Sequence, residues 1–159
     1  MPSTVDPASF RAAMTRLPTG VTVVTAMGVD GPAGATANAV ASLSLDPPLM
    51  LACLDLGSRT LEVLQRSRRF GVNVLASDQA ELALRFATKD PHPEKWDGVP
   101  WRKLAGVPAI DGTVVWLACE LRDLHDGGDH AIATGRVLDL EASEGEPLLF
   151  HAGAYRSLG

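Results

Sequence analysis

The sequence predicts a mainly β fold: an antiparallel Greek-key barrel with a few short peripheral helices. Three observations carry this. Six or more short runs rich in β-branched and apolar residues are separated by turn words. Helical spacing of apolar residues appears only in brief segments. No regular strand–helix–strand alternation occurs, which disfavours a doubly wound parallel sheet.

The elements follow in chain order. Asp6 or Pro7 opens a short helix, with Phe10, Met14 and Leu17 on one face, and Pro18-Thr19-Gly20 stops it. VTVVTAM is a strand and GVDGPAG a turn. Ala35 to Asn38 begins a second strand, Val40 to Leu45 continues extended, and Asp46-Pro47-Pro48 breaks it. Leu49 to Leu54 is short and wholly apolar, a buried strand. Ser58 caps a helix that carries Leu61 and Leu64. Phe70 to Leu75 is a strand, and Asp78 caps a helix running to about Phe86. Thr88 to Pro108, rich in Pro, Gly and charge, reads as one long loop carrying Trp96 and Trp101. Val114 to Arg122 and His130 to Leu140 are strands joined by a turn over His125–Asp129. Pro147 to Phe150 is a last short strand, followed by Gly153-Ala154-Tyr155-Arg156.

Composition narrows the function classes. The 159 residues are 46% hydrophobic and 21% charged, the balance of one globular domain over 1–159. Lys and Arg number 14 against 19 Asp and Glu, a net charge of −5, which argues against general nucleic-acid binding. The N-terminal stretch lacks the basic and apolar regions of a signal peptide, and no run is long enough to cross a membrane. Cys53 and Cys119 each sit in an apolar run, so core thiols in a reducing cytoplasm are expected. GxGxxG opening a helix, GK[ST], GxSxG and HExxH are all absent, and the four histidines have no metal spacing.

Five constellations remain. Small residues from Thr36 to Ser44 allow a flat ligand close to the backbone, with Asn38 as donor and acceptor, or else they fill a tapering barrel. Ser58-Arg59-Thr60 at a helix start suits a phosphate, or is ordinary capping. Gly127-Gly128-Asp129-His130 presents a histidine at a strand edge, for a ligand or simply for solvent. Lys95-Trp96 either covers a nucleotide or anchors the loop. Tyr155 with Arg156 closes the chain, where packing explains it equally well.

In this order the words FRAAMTRLPTGVTVVT, GATANAVASLSLDPPLMLACLDLGSRTLEVL, RRFGVNVLASDQAELALRFA, EKWDGVPW, GVPAIDG, ACELRDLHDGGDHAIATGRV and PLLFHAGAYRSL resemble the flavin reductase-like family, the small reductase components of two-component flavin monooxygenases. They run from about Phe10 to Leu158. The resemblance implies a six-stranded split barrel, the FMN-binding split barrel, acting as a homodimer with flavin at the subunit interface. It implies hydride transfer from NADH or NADPH to FMN or FAD, with reduced flavin leaving for a separate monooxygenase. It puts Thr36, Ala37, Asn38 and Ala39 along the isoalloxazine. Asp55, Ser58, Arg59 and Thr60 fall at the ribityl chain and phosphate. Lys95 and Trp96 fall near the flavin phosphates, His130 of the GDH word faces the nicotinamide nucleotide, and Tyr155 and Arg156 lie near the pyridine site. Asn38-Ala39-Val40 departs from the two serines and an aromatic of many relatives, which leaves a backbone N–H rather than a hydroxyl at position 39. Trp96 stands where the family word usually ends in Phe. The rival expectation is a flavin store or sensor without turnover, on a barrel that binds and does nothing more. The GDH word with His130 speaks for the reductase.

Overall fold

The computed structural model describes residues 4–159. The first three residues of the N-terminal stretch read above lie outside the described residues. The chain runs α1 (Pro7–Met14), β1 (Thr19–Gly20), β2 (Thr22–Gly28), β3 (Gly31–Ala37), β4 (Val40–Leu45), β5 (Pro48–Asp55), α2 (Arg59–Ser67) and β6 (Arg69–Val74). It continues with α3 (Ala80–Ala87), α4 (His92–Trp96), β7 (Trp101–Leu104), β8 (Val107–Ile110), β9 (Val115–Gly127), β10 (His130–Ala142), β11 (Leu149–His151) and β12 (Ala154–Arg156).

The fold is mainly β with few short helices, as expected, but the principal sheet has seven strands rather than six. Its order is β3-β2-β6-β9-β10-β5-β4, every neighbouring pair antiparallel. β1-β11-β12 and β7-β8 form two smaller sheets. The edge strands β3 and β4 are consecutive in the chain, separated only by Asn38 and Ala39. Three Cα steps span at most ~11 Å, so the sheet curves enough to bring the end of β3 near the start of β4. The Cys53 N–H donates to the Ala39 carbonyl at 2.9 Å, tying the crossing to β5.

Four readings along the chain are corrected. The turn read over His125–Asp129 is only Gly128-Asp129, because β9 runs on to Gly127. The turn read over GVDGPAG is only Val29-Asp30, and β3 already starts at Gly31. Its glycine is needed as strand: a Cβ on Gly34 would meet the Phe86 ring at 2.9 Å and Trp96 at 3.1 Å, so only hydrogen lets α3 and α4 lie on β3. The long loop from Thr88 to Pro108 holds α4 and the β7–β8 hairpin. Its prolines begin a helix here, where a missing N–H costs nothing. Asp78 does not cap α3; Gln79 takes that position, its amide bridging the Ala76 N–H and the Asp111 carbonyl at 2.9 Å each.

Ser58 does cap α2, accepting from the Leu61 N–H, and Leu61 and Leu64 turn inward onto the core, with Thr60 also buried. A second apolar cluster joins Val21, Val23, Phe86, Trp96 and Ile110 beneath α3 and α4. Phe10, Met14 and Leu17 share one side of α1 and its C-terminal extension, and all three are exposed.

Candidate functional site

A cavity of about 840 Å³ opens beside the link between the end of β3 and the start of β4. Its wall is the end of β3 and the crossing, Thr36 to Ala39; opposite lie Cys53 and Asp55 of β5 and the start of α2 at Ser58, Arg59 and Thr60. Lys95, His130 and Tyr155 complete it. Of the residues expected at a site, all but Trp96 and Arg156 therefore line one space.

Local structure explains each position. The Thr36 hydroxyl donates to the Ala83 carbonyl at 2.7 Å, fastening β3 to α3 and leaving its backbone and the alanines to form a thin wall. Asn38 is exposed, with its amide in the crossing. Asp55 accepts from the Gly57 N–H at 2.8 Å and so shapes the turn that aims α2's N-terminus at the cavity. Arg59 donates from Nη2 to the Lys89 and Asp90 carbonyls at 2.5 and 2.6 Å, holding the α3–α4 connection across the cavity's side.

Lys95 is the most telling group. It is 5% exposed, and its Nζ reaches only the Gly34 and Phe86 carbonyls, both at 3.4 Å. It forms no ion pair among the described residues. Burial, then the nearby Arg59 charge, pushes its pKa below the ordinary lysine value. A buried cation without an anion is costly, and a phosphate in the cavity would supply one. With the helix N–H groups and Asn38, this donor set fits a flavin nucleotide.

His130 pairs in register with Asp55 and stands half-exposed at the rim. Its Nδ1 lies 2.7 Å from the Asp129 carboxylate, whose pKa this bond lowers. The second ring nitrogen is left for a ligand. Tyr155 packs against Phe150 at 5.3 Å between ring centroids, and burial raises its phenol pKa.

Trp96 lies elsewhere. Its ring is wedged edge-on between Phe86 (4.9 Å) and Trp101 (5.6 Å), so the anchoring alternative describes it, and it borders a neighbouring cavity. Arg156 points away, its Nε donating to the His151 carbonyl at 3.4 Å. Sequence reasoning missed His92. It borders both cavities, and both ring nitrogens are shut off from water without a hydrogen-bond partner. Burial, then Lys95 and Arg59, lowers its pKa. The available signal was its place between Pro91 and Pro93, one helical turn before Lys95.

Comparison with known proteins bears on this geometry. A family model described as "Flavin reductase like domain" matches residues 14–159. The chain is 38% identical to a Mycobacterium tuberculosis protein named "Flavin-dependent monooxygenase, reductase subunit HsaB", over 99% of this chain and 86% of that one. It is 38% identical to an "NADH-dependent flavin reductase" of Rhodococcus sp, over 97% and 88% of the two chains. Its fold matches the Streptomyces globisporus C-1027 NADH:FAD oxidoreductase SgcE6, solved in complex with NAD and FAD fragments. That match has a TM-score of 0.91 at 35% identity and covers 99% of this chain and 98% of the other.

Proposed function

The chain belongs to the flavin reductase like family, and from that premise we propose that it moves hydride from NADH or NADPH to FMN or FAD and supplies reduced flavin to a partner monooxygenase. The observation that carries the reading is the convergence of Lys95, the α2 N-terminus and Asn38 on one cavity of about 840 Å³. That is ample for a flavin nucleotide and lies within the usual range of ligand sites.

Bound flavin supplies the two-electron chemistry. The protein's part is positioning. Asn38 offers a donor and an acceptor to the ring edge, and Ala37 and Ala39 let the ring lie close to the backbone. Ser58, Arg59, Thr60 and the free N–H groups of α2 take the phosphate, and Lys95 neutralises it. Asp55 sets the turn that brings these donors together. His130, steadied by Asp129, orients the nicotinamide nucleotide with Tyr155 beside it; it need not carry a proton. Trp96 acts from behind, bracing the helix that carries Lys95.

The curled seven-stranded sheet is read as the split barrel of the family, with the whole chain as one domain. The working unit is a homodimer with flavin at the interface. The chain's two cysteines are free, which suits a reducing cytoplasm. Among the described residues no helix is long and apolar enough to cross a membrane.

The test is direct. NADH is added to protein and excess FMN under nitrogen, and the flavin absorbance is followed. Bleaching that depends on protein is expected. Flavin that binds and stays oxidised would instead favour a store or sensor.

A further inference from the structure

β3 is an edge strand of the principal sheet, and α3 and α4 lie against it. Gly34 sits under both helices; it is buried and lines neither cavity. Its carbonyl accepts from Lys95 Nζ at 3.4 Å. The second carbonyl on that ammonium, also at 3.4 Å, belongs to Phe86 in the last turn of α3. The last carbonyls of a helix have no donor within it and form the negative end of its dipole. Lys95 is therefore seated between a sheet edge and a helix end. An ammonium has three N–H donors. Two are engaged by these carbonyls, and the third is free for an anion in the cavity that Lys95 borders.

This seat has no slack. Both contacts stand at the outer limit of a hydrogen bond. A Cβ on Gly34 would lie 2.9 Å from two atoms of the Phe86 ring and 3.1 Å from Trp96. Neither ring can step aside, since Phe86 is 1% and Trp96 6% exposed and the two pack edge-on. A methyl group must then lift the end of α3, or α4, away from β3. A lift of a few tenths of an ångström takes at least one carbonyl out of reach of the ammonium.

We propose that Gly34 is the positioning residue for Lys95 and thereby sets the preference of the site for flavin carrying a 5′-phosphate over riboflavin, which has the same ring and ribityl chain without it. This rests on reading the cavity as the flavin site. Gly34 acts through Lys95 and touches no ligand itself.

FMN and riboflavin are titrated on the full chain by fluorescence quenching, and KM and kcat are measured with each as acceptor from NADH. The wild type should bind FMN about tenfold more tightly than riboflavin, the effect of one charge-assisted contact. In Gly34→Ala that preference should fall about fivefold through FMN alone, with KM for FMN raised and kcat unmoved, as loss of such a contact implies. Phe86→Leu keeps the test open if the alanine variant misfolds. It removes the ring that presses on Gly34, and the loosened seat should lower the preference about threefold. In the double variant the methyl group occupies space the ring has left, so the preference should match that of Phe86→Leu. An FMN preference unchanged in either folded variant overturns the positioning role. So does a double variant well below Phe86→Leu, equal weakening of FMN and riboflavin, or a wild type that binds the two alike. If the wild type binds neither flavin, the flavin reading itself falls, and this proposal with it.

Discussion

Lys95 is held as a cation in a wall that offers it two long carbonyl contacts, and its pH behaviour follows from that burial. Its folded pKa is below the ordinary 10.5, so between the two values the unfolded chain binds more protons. Stability without ligand therefore rises as pH climbs through that window. Phosphate binding needs the charged form, so FMN affinity falls over the same window. FMN titrations from neutral to alkaline pH check this; Lys95→Arg should flatten the decline, and Lys95→Met should weaken FMN about tenfold, as loss of a charge-assisted contact of ~1.5 kcal/mol implies. An alkaline profile identical in all three proteins contradicts the assignment. For His130→Ala, kcat/KM for NADH should drop about tenfold with FMN affinity unmoved, the pattern of a lost positioning contact. Steady-state rates at wild-type level would remove His130 from the mechanism. At this scale the sequence was legible where chemistry travels with order: small residues, then Ser-Arg-Thr, then the GDH word. It was silent on His92 and left the Trp96 ring open between covering a nucleotide and anchoring the loop, because which side of α4 faces which cavity depends on packing from β3 and Trp101, not on spacing.

Strands announced themselves through β-branched runs, as in β2, and were hidden where glycine and proline did a strand's work. β3 carries Gly34 where Phe86 of α3 and Trp96 of α4 press on it, and a sequence rule that treats GPAG as breakers reads a turn. The β7–β8 hairpin was lost in the same way, its turn made by Ala105 and Gly106 at φ 48° and 83°. Gly135 sits within β10, a strand legible despite it, adjacent to a register shift against β9. A Cβ there would stand 2.6 Å from the Phe70 ring and 2.8 Å from the Cys119 Cβ. Gly135→Ala should destabilise the protein by ~1–3 kcal/mol, the usual cost of overpacking. A urea midpoint equal to wild type would show that β10 yields without penalty.

The whole molecule exposes apolar side chains that its own core does not use, among them Phe10, Met14, Leu17, Leu45 and Leu140. A homodimer is expected, and sedimentation equilibrium should give twice the 16.8 kDa chain mass. A monomer at micromolar concentration would be the contrary result. The curvature of the sheet was not legible from composition or periodicity, since strand order is set by long-range pairing; only the resemblance suggested it. That curvature has one further consequence. Because edge strands β3 and β4 are joined by Asn38 and Ala39 alone, the width of the ligand cleft is set by covalent length, as a short strap sets the gape of a clasp. Side chains around the cleft can be exchanged without changing that width, whereas a single glycine inserted between Asn38 and Ala39 adds up to ~3.6 Å of slack. Such a protein should keep its far-UV circular dichroism and lose most of its FMN affinity.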